Sequence, residues 1–164
     1  MLTHARTVAA PRRAPPSLPL QPPELGAALL ESLGAIEDED NIVVLGRDGP
    51  DLMCALLQAG APKVTHRHSF ERLESDSASL VILPQVPSLD WLERALSPIR
   101  RALIDNGRLA VCVESLPTIE NRVRRMLTLH GFTAIRANPA VGHQVLSAEV
   151  PAFGLRRCAW QDPR

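Results

Sequence analysis

The sequence predicts an α/β fold: a mostly parallel sheet with helices on both faces and an antiparallel pair of strands at the C-terminal end. Three observations carry this expectation. Residues 42–45, 80–83 and 109–113 are short, apolar runs rich in β-branched side chains, the pattern of strands buried on both faces. Segments with helical periodicity stand between them, which gives successive βαβ units with right-handed crossovers. Residues 133–137 and 143–150 also read as strands, and only a short stretch joins them. A connection that short pairs neighbouring strands in opposite directions. Together these make a Rossmann-like arrangement.

The elements follow in order. Residues 1–23 hold Pro11, Pro15, Pro16, Pro19, Pro22 and Pro23 with Arg6, Arg12 and Arg13. Such a segment buries too little surface to offset the entropy of ordering, so a disordered Pro/Arg-rich leader is expected. The folded domain is expected over 24–155, with a tail at 156–164. Leu25, Leu29, Leu33 and Ile36 recur at helical spacing. The acidic run Glu37-Asp38-Glu39-Asp40 reads as a solvated linker, because like charges repel in a packed element. The strand at 42–45 ends at Gly46, and a helix over 51–59 follows with Leu52, Ala55, Leu56 and Ala59 on one face. Residues 63–66 form a second strand and 80–83 a third, which Pro84 ends. Ser88 caps a helix marked by Leu89, Leu92, Leu96, Ile99 and Leu103. Pro98 is expected to kink it or to begin a second helical piece. Asn106-Gly107 predicts a turn before the strand at 109–113. A helix over 118–130, closed by Gly131, leads into the last two strands.

Composition narrows the function classes. The chain has 164 residues, enough for one domain. Its 18 basic and 18 acidic residues cancel, whereas a dedicated nucleic-acid binder carries a basic excess. Nucleic acid is therefore not the expected partner. No apolar run is long enough to span a bilayer, and the arginines near the start are not followed by the apolar stretch of a secretory signal. A cytoplasmic, non-membrane protein is expected. Cys54, Cys112 and Cys158 are widely spaced with no CxxC pair, which argues against a disulfide framework. Cys54 and Cys112 fall in apolar surroundings and are expected to be buried.

In a parallel sheet, ligands bind at the carboxyl ends of the strands, where the strand order switches. That directs attention to the loops after Leu45, His66 and Leu83. The leading site is Gly46-Arg47-Asp48-Gly49; its alternative reading is an ordinary strand-to-helix turn with Asp48 or Asp51 as the helix cap. Arg47, His66, Arg67 and His68 either converge into a positive pocket matched to phosphate or are scattered surface charge. Two histidines without a third ligand make no zinc site, so no metal is expected. Arg122, Arg124 and Arg125 read as a solvated helix face, and Trp91 as a packing residue. No Ser/His/Asp or Cys/His nucleophile pattern is present.

The segments Asp76-Ser77-Ala78-Ser79-Leu80-Val81-Ile82-Leu83, Leu103-Ile104-Asp105-Asn106-Gly107-Arg108-Leu109-Ala110-Val111 and His130-Gly131-Phe132 resemble the fourth strand, the turn with the fifth strand, and the step before the sixth strand of class I S-adenosylmethionine-dependent methyltransferases. The resemblance covers residues 41–150. It implies a small-molecule cofactor, S-adenosylmethionine, with Gly46, Arg47, Asp48, Gly49, His66, His68, Pro84 and Gln85 as the cofactor-binding positions. The backbone near Gly46 and Gly49 would meet the amino-acid moiety, and the loop Pro84-Gln85-Val86-Pro87 the adenosine or substrate side.

The sequence departs from that family in its cofactor half. The acid two residues before the first glycine is Val44, and the second and third glycines are Asp48 and Pro50. Where the family carries an acid on the second strand for the ribose hydroxyls, this chain reads His66-Arg67-His68. A neutral imidazole accepts one hydrogen bond, not two. The stretch before Leu80 is also too short for the family's third strand. A hydrogen bond to a charged group is worth ~1.5–3 kcal/mol, so two such losses weaken binding on the order of a hundredfold. Three functions follow: a methyltransferase of unknown substrate; a methyltransferase-like protein without activity that binds or regulates a protein partner; or a binder of nucleotides or phosphate ligands.

Overall fold

The computed structural model describes residues 29, 31, 36, 37, 39–47, 49–140 and 143–152. Its elements are β1 (Asn41–Leu45), α1 (Gly49–Gln58), β2 (Lys63–Arg67), a 3-10 turn (Phe70–Arg72), β3 (Ala78–Leu83), α2 (Leu89–Ala102), β4 (Leu103–Glu114), α3 (Pro117–Leu129), β5 (Thr133–Ala140) and β6 (His143–Glu149). The strands form one six-stranded sheet in the order β2-β1-β3-β4-β6-β5. β2, β1, β3 and β4 run parallel. β6 is antiparallel to both β4 and β5. The predicted α/β class and the antiparallel C-terminal pair are thus observed. The predicted leader, the tail at 156–164 and most of the helix expected over 24–36 lie outside the described residues.

Alternation along the strands builds two cores. Val43, Leu45, Val81, Leu83, Leu109, Val111 and Val113 face one side, where they meet Leu92, Leu96 and Ile99 of α2 and Val123 and Leu127 of α3. Ile42, Val44, Leu80, Ile82, Ala110 and Cys112 face the other, against Leu52 and Leu56 of α1 and Leu29. Burial on both faces is why these strands read as unbroken apolar runs rather than as alternating ones.

Several local expectations are revised. α2 runs unbroken through Pro98: Ala95, Leu96, Ile99 and Ala102 are all buried across it, and that continuous stripe outweighs the ~3 kcal/mol a helix-interior proline costs. Asn106-Gly107 is not a free turn but a bulge within β4. The register slips between Ala78 and Leu80 of β3, and Asn106 takes φ 61°. Cys54, expected inside, is exposed, because Leu52 and Leu56 take the inward face of α1. The acidic run is not wholly a solvated linker: Asp40 Oδ2 pairs with Arg108 at 3.2 Å and accepts the Glu37 N–H at 2.9 Å. Between β2 and β3 the described chain makes only the 3-10 turn. The third strand of the resembled family is missing there, and β2 is left as the edge of the sheet.

Candidate functional site: a cleft at the strand switch point

The chain passes from β1 through α1 to β2 on one side, then crosses to β3 on the other side of β1. The connections leaving β1 and β3 therefore diverge at their carboxyl ends and leave a crevice. Here the structure has a cleft of about 410 Å³ lined by Gly46, Arg47, His68, Gln85, Pro87 and Trp91. Its size falls in the ~300–1,000 Å³ range of small-molecule sites.

Each wall has a local cause. Gly46 leaves β1 with φ 121°, a conformation that side chains resist. Its N–H donates to Arg67 O at 3.1 Å, which extends the β1–β2 pairing past the strand end. A Cβ at Gly46 would meet nothing within 4 Å, so the backbone there is open to close approach. Gln85 and Pro87 come from the loop after β3. Ser88 Oγ accepts the Trp91 N–H at 3.1 Å and caps α2, which sets Trp91 in its first turn. The Trp91 ring meets Phe70 edge to face, with centroids 5.7 Å apart.

Behind the loop sits His66. Its Nε2 lies 2.7 Å from Gly46 O; a carbonyl only accepts, so Nε2 carries the proton. The ring rests against Gly49, where a Cβ would overlap it. His68 meets His66 edge-on, with centroids 4.4 Å apart, and turns toward the cleft. Arg47 supplies its positive charge, and Arg47 and His68 supply hydrogen-bonding groups. Among the described residues no carboxylate lines it, and no ion-pair partner faces Arg47.

The eight residues singled out in the sequence are therefore divided. Gly46, Arg47, His68 and Gln85 come together in the lining. Gly49 and His66 pack on each other behind it. Pro84 is half-buried at the start of the loop, outside the lining, and Asp48 is not among the described residues. Arg67, grouped with Arg47 and His68 as one possible pocket, faces elsewhere: it lines a separate groove with Asn41, Thr65 and Arg72, because neighbours on a strand point to opposite faces. Trp91 packs against the core, as expected, and also lines the cleft. The signal was present: a Ser cap directly after the loop puts the third residue of the helix beside that loop. Val44, at the position of the family's acid, is fully buried among the α1-side apolar residues. No group of three potential metal ligands occurs among the described residues.

No protein-family model matches the sequence, and no curated protein sequence matches it. Solved structures do resemble the fold. One is a 16S rRNA N2 G1207 methyltransferase from T. thermophilus, solved with AdoMet and guanosine: TM-score 0.57, 14% identity, covering 77% of this chain and 38% of that one. A second is a 1,6-didemethyltoxoflavin-N1-methyltransferase from Burkholderia thailandensis with S-adenosylhomocysteine bound: TM-score 0.55, 13% identity, covering 81% and 79%. A third is a possible exported protein from Bordetella parapertussis: TM-score 0.56, 15% identity, covering 80% and 67%. This chain thus spans well under half of the ribosomal RNA enzyme. At these identities the likeness defines the fold alone, and that fold is the one S-adenosylmethionine-dependent methyltransferases use.

Proposed function

We propose that the chain binds S-adenosylmethionine in the cleft at the ends of β1 and β3 and acts as a methyltransferase. The observation that carries this reading is an open crevice at the switch point of a sheet whose strand order and antiparallel end match the fold of such enzymes. The residues fit the nucleoside half of the cofactor. The backbone at Gly46 is open to a close-lying ligand, Trp91 and Pro87 offer apolar surface to a base, and His68 and Gln85 offer hydrogen-bonding groups to ribose hydroxyls.

When bound, the cofactor supplies an electrophilic methyl group. The work of this chain is to hold a nucleophile in line with it, so proximity and orientation carry the rate. No lining side chain is assigned as a base.

Two features favour a second reading, a methyltransferase-like protein that binds a partner without turnover: the buried Val44 in place of an acid, and His66 committed to Gly46 and Gly49 rather than to a ligand. Calorimetric titration with S-adenosylmethionine and S-adenosylhomocysteine separates the two. Micromolar binding of both supports the enzyme, and the absence of heat with either leaves the partner role.

A further inference from the structure

The charge of the cleft points beyond a sulfonium cofactor. S-adenosylmethionine carries a net positive charge when its amino, carboxyl and sulfonium groups are all ionised. The lining presents a guanidinium and an imidazole, and no carboxylate among the described residues. Arg47 is exposed at the cleft, with no ion-pair partner among those residues, on the segment leading into the N-terminus of α1. A guanidinium binds phosphate oxygens through paired N–H donors, and the nearby helix N-terminus adds favourable potential for an anion. Trp91 and Pro87 supply apolar lining to the same cleft, and Phe70 braces the indole.

We propose that this cleft takes nucleoside diphosphates or triphosphates, with the base against Trp91 and Pro87 and the phosphates on Arg47 and His68, in competition with S-adenosylhomocysteine. The proposal rests on the reading of the cleft as a nucleoside site, but not on methyl transfer. A nucleotide ligand explains why the ribose acid is dispensable: Arg47 and His68 supply the missing affinity through the phosphates.

The test is calorimetry on the full chain with ADP, adenosine, inorganic pyrophosphate and S-adenosylhomocysteine. ADP is expected to bind at least about tenfold tighter than adenosine, the scale of one charge-assisted contact. Arg47→Gln is expected to remove that advantage while adenosine binding is unchanged, and ADP to displace S-adenosylhomocysteine. Arg47 is exposed, so the variant is expected to keep the circular dichroism of the parent. Equal affinity for ADP and adenosine overturns the proposal, as does full ADP affinity in Arg47→Gln. Pyrophosphate binding as tightly as ADP overturns the base-wall assignment and with it the nucleotide. Binding of S-adenosylhomocysteine without an ADP advantage sinks this proposal and leaves the methyltransferase reading; an ADP advantage lost in Arg47→Gln, with no heat from S-adenosylhomocysteine, keeps the nucleotide site, overturns the competition and removes the methyltransferase reading.

Discussion

The imidazole of His66 lies on the Cα of Gly49, so that a Cβ there would overlap the ring, while Nε2–H donates to Gly46 O. One side chain from β2 thus fixes both ends of the β1–α1 loop. Gly49→Ala must push the ring away and break that hydrogen bond. Overpacking of this kind costs ~1–3 kcal/mol, and urea denaturation is expected to show it. The double variant Gly49→Ala/His66→Ala is expected to recover part of the loss, because the overlap disappears with the ring; additive losses would contradict the relationship.

Trp91 closes the cleft from the first turn of α2, half-buried against Phe70. Trp91→Leu keeps apolar contact with the core but removes the flat face. Affinity for S-adenosylhomocysteine is expected to fall by about tenfold, the scale of a lost aromatic contact, with little change in the melting temperature. A large fall in melting temperature with unchanged affinity would return Trp91 to a packing role alone.

Ala134 sits at φ 49° in β5, where the pairing with β6 slips between Thr133 and Arg136. A left-handed conformation costs an L-residue roughly 1–2 kcal/mol, whereas glycine accepts it at such bulges. Part of that gain is offset by glycine's freedom in the unfolded chain. Ala134→Gly is expected to stabilise the protein by up to about 1 kcal/mol in denaturant titration, and a loss would contradict the bulge.

Burial raises the Cys112 thiol from 9.0 to about 12. The unfolded chain then releases this proton at lower pH than the folded one. The thiol therefore adds nothing to the pH dependence of stability below pH 9, and it destabilises the fold progressively as pH rises from 9 toward 12, by about 1.4 kcal/mol per unit. Its chemistry follows the same logic, since the thiolate is the reactive form. At pH 8 a thiol reagent is expected to label exposed Cys54 in the native protein and Cys112 only after denaturation, which peptide mass mapping distinguishes.

How far the sequence could be read depends on what a residue's environment contains. β1, β3 and β4 were legible because both faces of each are buried, so every position had to be apolar. The cap at Ser88 and the end at Gly131 were legible because caps are local chemistry. The second helical piece expected from Pro98 does not form, since the burial that carries α2 through it comes from packing and not from propensity. Cys54 was misread because an apolar neighbourhood in sequence does not say which face a residue takes. At the site, Gly46 and Gln85 follow from strand ends alone. The reason for Gly49 was hidden: it is the ring of His66, from another strand. The sequence also groups Arg67 with His66 and His68, and the pleat turns Arg67 alone to the other face.

The proposed nucleoside site is the crevice between the ends of β1 and β3. A crystal structure of the chain grown with S-adenosylhomocysteine tests it most directly. Electron density for the nucleoside is expected between Gly46, Gln85 and Trp91, with the His66–Gly46 hydrogen bond retained. Density at any other place on the molecule, or a Trp91 side chain collapsed into an empty crevice at saturating ligand, would contradict it.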